Sequence, residues 1–335
     1  MAAIVPHDKS HDAKEPMLIE NPNRFVLFPV KYDNIWKMYK LACTSVWFVE
    51  EVDLANDVAT WEKLNDNEKY FIKMVLAFFA GSDGVVTYNL AARFLNEIQI
   101  PEAKAFYAFQ IAMETIHSEM YSLMLETYVK DPVEKDQLFG AINTIPCIKK
   151  KADWALKWIE NENASFATRL VAFVIVEGLM FSASFASIFW LKERGLMPGL
   201  CLSNEFISRD EGLHAEFNIL LYSMLESKLD QDDIHTMMRD AVDIETEFIT
   251  ESIPCALLGM NNDLMKEYVR FVADRILAQL GYEKIYGAHN PFPFMDRISL
   301  QNKSNFFEHT RIADYSKATV GNAKNAFVFS TEEEF

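Results

Sequence analysis

Cysteine is scarce in this chain, and what there is lies far apart. Cys43, Cys147, Cys201 and Cys255 are the four cysteines of 335 residues, and no C-x-x-C pair occurs. That spacing argues against a disulfide framework or a thiolate zinc site and reads as buried thiols in a reducing compartment. Basic charge is also short: 32 Lys and Arg face 49 Asp and Glu, a formal net charge of −17. With no basic stripe, nucleic acid is not an expected partner. The only basic triplet, Lys149–Lys151, reads as the solvated start of a helix. No glycine-rich loop offers to cradle a phosphate, and no run of period-two alternation calls for a sheet. The N-terminus has no apolar core of signal length, so the cytoplasm is the expected location.

Long hydrophobic runs are limited to one. Leu170 to Leu191 is nearly all apolar or small, with a single charge, Glu177, near its middle. Its length would span a bilayer. A carboxylate at mid-membrane costs roughly 3 kcal/mol on insertion scales, however, and the segment has no companion. A helix buried on all sides in a large bundle is the better reading, and no membrane contact is expected.

What is present is helical pattern almost throughout, giving an all-α protein. Asp33 is placed to cap a helix through about Val46. Asn65-Asp-Asn-Glu68 reads as a capping box for a long helix to about Ile98. Pro101 opens the next, which runs to Lys130 before Asp131-Pro132. Shorter helices are expected over about 133–143 and 147–161. The apolar helix follows from about Ser165 to Arg194, stopped by Gly195. Further helices cover about Leu200–Leu229, 231–252 and 263–280. Residues 1–20 read as a flexible N-terminal segment, 21–301 as one helical domain, and 302–335 as a flexible C-terminal tail with an anionic, aromatic end.

The chemistry gathers on two of these helices. In Glu114-Thr-Ile-His117-Ser-Glu-Met-Tyr121, spacings of three and four residues put Glu114, His117 and Tyr121 on one face. Glu211-Gly-Leu-His214 repeats the E-x-x-H pair. One copy means little, since 29 Glu and 7 His give about 0.6 matches by chance. The stronger signal is upstream. Asp83 precedes Glu114 and Glu177 precedes Glu211 by about thirty residues, each on the apolar helix before. A carboxylate and then E-x-x-H, twice over, is the ligand set of the ferritin-like di-iron carboxylate bundle. Four buried carboxylates need neutralising, and two divalent cations with two neutral imidazoles do so.

The match becomes specific in longer motifs: Asn21-Pro-Asn-Arg-Phe25, Trp47-Phe-Val-Glu-Glu-Val-Asp-Leu54, Ser82-Asp83-Gly84, Gln110 through Tyr121, and Ser208-Arg-Asp-Glu211-Gly-Leu-His214. Through these the protein resembles the small, radical-generating subunit of class I ribonucleotide reductase, of eukaryotic or viral type, from about Glu15 to its last residue. Gly81, Thr87 and Tyr88 depart from the usual pattern without removing a ligand. The resemblance implies a ferritin-like helical bundle with additional helices and a flexible tail. It implies an oxo-bridged pair of iron ions per subunit held by Asp83, Glu114, His117, Glu177, Glu211 and His214. Manganese or a mixed pair would suit the same donors. Tyr121 would hold the stable radical, with Phe181, Phe185 and Ile207 as a dry pocket around it. Trp47, Asp210 and Tyr315 would carry the radical outward to a large subunit, where ribonucleotides become deoxyribonucleotides. The tail, with Phe329 and Phe335 as apolar anchors, would dock on that subunit, and the protein would form a homodimer.

Two other readings use the same ligands. A ferritin-like oxidase or ferroxidase needs neither Tyr121 nor an anchored tail, and such proteins are near half this length. A di-iron oxygenase needs a substrate cavity where Phe181 and Phe185 stand.

Overall fold

The computed structural model describes residues 9–252 and 261–295. Among them there is no strand. Tyr315, Phe329, Phe335 and Cys255 lie outside the described residues, as does the expected tail.

Thirteen α-helices are described: α1 Asp33–Thr44, α2 Ala55–Trp61, α3 Asp66–Asn89, α4 Leu95–Glu97, α5 Pro101–Tyr128, α6 Pro132–Phe139, α7 Ala141–Thr144, α8 Pro146–Ile159, α9 Phe166–Ile175, α10 Ser182–Glu193, α11 Pro198–Met224, α12 Gln231–Ser252 and α13 Asn262–Leu280. Two π-helical turns interrupt what the sequence presents as plain helix. Leu90–Phe94 joins α3 to α4, and Val176–Met180 joins α9 to α10. The expected helix over 133–143 is broken at Gly140 into α6 and α7.

The frame is two helical hairpins. α3 turns back into α5, and the rod formed by α9 and α10 turns back into α11. α5 also meets α11, so the hairpins close on each other, and α1 and α2 lie over that seam. α8 packs on α3, α9 and α12, while α12 and α13 cover the π-helical turn Val176–Met180.

Local chemistry sets the ends. Asn65 Oδ1 accepts from Glu68 N at 3.0 Å while Glu68 Oε2 accepts from Asn65 N at 3.0 Å, the expected capping box. Asp131 Oδ1 caps α6 through Val133 N and Glu134 N. Gly195 takes φ 67° after α10, a left-handed turn that favours glycine. Asp33 does not cap α1. It sits in the first turn, with Tyr32 at the cap position making no side-chain bond.

A buried carboxylate starts α11 from another element. Asp57 of α2 is fully buried and accepts from Gly199 N and Leu200 N, both at 2.8 Å, and from the Tyr128 hydroxyl at 2.6 Å. Two amides at a helix N-terminus suit a carboxylate in charge and geometry. Gly199 is required here, because a Cβ would lie 2.6 Å from the Asp53 carbonyl oxygen.

Residues 9–20 are docked rather than loose. Asp12 accepts from Phe166 N at the start of α9, and Glu15 takes the Glu226 and Ser227 amides at 3.0 and 2.7 Å. Met17 is buried and its carbonyl accepts from Gln99 N. The polar composition of this segment is that of a strap whose carboxylates seek backbone amides.

Two helical stretches, Asp66–Glu97 and Phe166–Glu193, are long and apolar enough to cross a membrane, so the apolar run has a companion after all. In the second, 89% of the most apolar window is buried inside the fold. Every residue from Phe166 to Leu191 except Gly178 is buried. Its apolar surface is covered by protein, as expected for a central bundle helix.

Candidate metal centre

Each hairpin delivers the same three groups. The first gives Asp83 from α3 with Glu114 and His117 from α5. The second gives Glu177 from the π-helical turn with Glu211 and His214 from α11. All six are buried, none more than 2% exposed. Donor atoms of Asp83, Glu114 and His117 lie within 4.8 Å of one another, and so do those of Glu114, Glu177, Glu211 and His214. Glu114 belongs to both groups, as a bridging carboxylate between two cations would.

The imidazoles sharpen this geometry. His117 Nδ1 lies 3.3 Å from Glu114 Oε2 and 3.1 Å from Glu211 Oε1. His214 Nδ1 lies 3.1 Å from Glu114 Oε1 and 3.3 Å from Glu211 Oε2. Both Nδ1 atoms therefore face the same two carboxylates across the middle of the bundle. His117 Nε2 faces outward to Asp210 Oδ2 at 3.3 Å, a carboxylate placed to fix the ring of a metal-binding histidine.

The cluster fits a pair of hard cations. Asp83 Oδ2 and Glu177 Oε2 are buried without a hydrogen bond among the described residues, although buried carboxylate oxygens are normally satisfied. With protons as the only cations, the charges redistribute in the same sense. Burial, then the neighbouring Glu114 charge, pushes Asp83 well above the usual carboxylate range. Burial likewise pushes Glu177 well up. Burial works against both imidazolium ions but is outweighed by the hydrogen bonds they donate, to Asp210, Glu114 and Glu211 for His117 and to Glu114 and Glu211 for His214. Their pKa values end well above normal. Burial opposes Glu114 too, yet hydrogen bonds from His117 and His214 hold it below its ordinary value. Divalent ions answer the same excess of negative charge.

Gln110, one turn before Glu114, donates to Glu177 Oε1 at 2.7 Å and to Glu114 Oε1 at 3.2 Å. It links carboxylates of the two hairpins. Its position on the ligand face of α5 was the available sign, and nothing in its residue type announced the role.

Tyr121 is 2% exposed, and its hydroxyl makes no hydrogen bond among the described residues. Burial, and next the charge of Asp83, raises its pKa far above 10, so the phenol stays protonated. Its ring stacks on Phe79 with centroids 4.6 Å apart and planes 5° from parallel. Phe79 meets Phe181 edge-on at 5.6 Å and Phe185 at 4.9 Å. Phe181 and Phe185 are thus joined to Tyr121 through Phe79, a residue that sequence reasoning passed over although it precedes Asp83 by one turn. Ile207 is buried on α11, one turn before Glu211.

Hydrogen bonds link His117 through Asp210 to Trp47. The indole Nε1 donates to Asp210 Oδ2 at 2.8 Å, and the ring stacks on His117 at 6.1 Å. Arg209 holds the other oxygen, Oδ1, at 3.0 and 3.2 Å, and its guanidinium also donates to the Ser45 carbonyl at 2.6 Å.

Comparison with known proteins agrees with this arrangement. The family model "Ribonucleotide reductase, small chain" matches residues 24–291. A ribonucleoside-diphosphate reductase small subunit of Arabidopsis thaliana is 58% identical over 328 residues, covering 97% of this sequence and 96% of that relative. The Dictyostelium discoideum small subunit is 62% identical over 307 residues, covering 91% and 90%. Among solved structures, the Rnr4 homodimer of Saccharomyces cerevisiae superposes with a TM-score of 0.80 at 38% identity, covering 92% of this sequence and 95% of that relative. A protein that matches its relatives almost end to end, and buries a carboxylate–histidine cluster suited to a binuclear metal site, belongs to the ribonucleotide reductase small-chain family.

Proposed function

We propose that the six buried side chains hold two iron ions and that Tyr121 is the residue oxidised to a stable radical, which then serves a large subunit in the reduction of ribonucleotides. The observation that carries this reading is the sharing of Glu114 between two ligand groups, with both Nδ1 atoms turned to Glu114 and Glu211. Asp83 and His117 would hold one ion, Glu177 and His214 the other, with Glu114 and Glu211 between them. When bound, the metal pair would supply the O2-derived oxidising power that removes one electron and the phenolic proton from Tyr121. The donors are carboxylates and imidazoles, which accept manganese as well as iron, so availability helps to decide between them.

The protein's own residues do the rest. Gln110 orients Glu177 before any ion arrives. Phe79, Phe181 and Phe185 keep water and reductants from Tyr121, whose hydroxyl has no hydrogen-bond partner among the described residues. Asp210 holds the Trp47 indole proton on one side and faces His117 on the other, so electron and proton can move together along one hydrogen-bonded line. The family resemblance assigns Tyr315 to radical transfer and the C-terminal residues about Phe329–Phe335 to docking on the large subunit. The protein acts as a homodimer in the cytosol; the homodimer described for the yeast relative supports the first part.

The test is anaerobic Fe(II) loading of the metal-free protein, followed by air and low-temperature EPR. Two metals per subunit and a tyrosyl doublet are expected. Tyr121→Phe should lose the doublet while metal binding and the metal-centred absorption survive. An unaltered doublet in that variant would remove Tyr121 from its role.

A further inference from the structure

The basic triplet at the start of α8 does not behave as one solvated group. Lys149 pairs with Asp153 and Lys150 with Glu247 at the surface, but Lys151 is only 2% exposed. Its ammonium group lies 2.6 Å from Glu245 Oε2 of α12 and donates to the Met180 carbonyl at 2.6 Å. It also sits over two aromatic faces, 3.4 Å from the Phe78 centroid and 4.0 Å from that of Phe248. One side chain thus joins α8, α3, α12 and the end of the π-helical turn.

That turn is the element that presents Glu177. A π-helical turn carries an extra residue compared with α-helix and is rarely favoured by itself. Relaxing it by one residue would rotate the attached side chains by about 100°, enough to take Glu177 away from Gln110 and the cluster. Met180 is the last residue of the turn, and α10's hydrogen bonding restarts beyond it with Phe185 N to Phe181 O. Gly178 of the same turn lies against Ile276 of α13, where a Cβ would approach to 3.0 Å.

We propose that Lys151 is a positioning residue for the metal centre: it tethers the carbonyl end of the turn Val176–Met180 and so holds Glu177 in the register that reaches the ligand cluster. The inference rests on the reading of Glu177 as a metal ligand. The same ammonium braces Phe78, which packs edge-on against Phe181 and beside Phe79, so the tether and the wall around Tyr121 share an anchor.

The experiment uses the full-length protein in two measurements, amide hydrogen exchange without metal and anaerobic Mn(II) binding. Lys151→Met should speed exchange in residues 176–181 by about tenfold or more while α5 and α11 keep their protection, and weaken one of two bound Mn(II) by about tenfold, the scale of lost support behind a ligand. Because Lys151→Met leaves Glu245 buried and unpaired, Lys151→Met/Glu245→Gln decides the matter if the single variant fails to fold, and the same local effect is expected there. Glu245→Gln alone, which keeps the bond to Met180, should resemble the unaltered protein. Protection at 176–181 unaltered in the double variant, faster exchange spread evenly over α3, α5 and α11, or the full effect from Glu245→Gln alone would each overturn the tether. If the unaltered protein binds no Mn(II), it is the ligand assignment of Glu177 that fails, and the exchange measurement still judges the tether.

Discussion

Asp210 uses one oxygen for two partners and gives the other to Arg209. Oδ2 accepts from Trp47 at 2.8 Å and meets His117 Nε2 at 3.3 Å, while Arg209 holds Oδ1. A carboxylate so fixed keeps the indole proton in line with the histidine and cannot turn away. Trp47→Phe removes the proton and the bond but keeps a large ring in a site 3% exposed. The expected result is metal content and Tyr121 radical near those of the unaltered protein, with turnover in the complex with the large subunit reduced at least a hundredfold. Metal analysis and EPR of the isolated variant, beside a nucleotide-reduction assay, check this. Loss of bound metal in the variant would make Trp47 a packing residue for His117 and no part of a relay.

At the scale of elements, a carboxylate that starts a helix from a distant part of the sequence should matter more than a local cap. Asn65→Ala at the head of α3 removes one capping bond and should cost about 1 kcal/mol. Asp57→Ala leaves Tyr128 and two buried amides of α11 unpartnered, and should cost about 3–5 kcal/mol. In thermal unfolding that is a loss of about 4–7 °C against about 1–2 °C for Asn65→Ala. Equal losses would mean that water replaces Asp57 at the start of α11. The Asn65 cap was legible in sequence because its partner stands three residues on. Asp57 was not, because its amides lie 142 and 143 residues away and nothing local marks them. The same distinction runs through the site. That Asp83, Glu114, His117, Glu177, Glu211 and His214 gather in one buried cluster could be read because their helical pattern occurs twice. Gln110 and Phe79 sit on the same faces but carry side chains common in any core. The π-helical turn under Glu177 escaped notice because its residues, Val176-Glu-Gly-Leu-Met180, suit plain helix and only packing by neighbouring helices such as α12 and α13 selects the wider turn. The strap over residues 9–20 was hidden for the reason that hid Asp57: Asp12 and Glu15 find amides far along the sequence.

For the whole molecule, the arrangement makes folding and metal binding one equilibrium. The hairpins α3–α5 and α9–α11 meet across Glu114, Glu211, His117 and His214, so an ion shared by both hairpins stabilises their association, whereas an unfolded polypeptide offers no such site. A ligand that binds only the folded state adds about 2.7 kcal/mol at a hundredfold excess over its dissociation constant. Two such ions add about 5 kcal/mol, which for a protein of this size raises the unfolding midpoint by on the order of 10 °C. Differential scanning fluorimetry under nitrogen, with Mn(II) or Fe(II) against chelator, measures the shift. Glu114→Ala removes the carboxylate common to both ligand groups and should abolish most of it, even if the variant's metal-free midpoint moves little. A full shift retained in Glu114→Ala, or none in the unaltered protein, would mean that the buried carboxylates are balanced by protons alone and that the two hairpins associate without an ion between them.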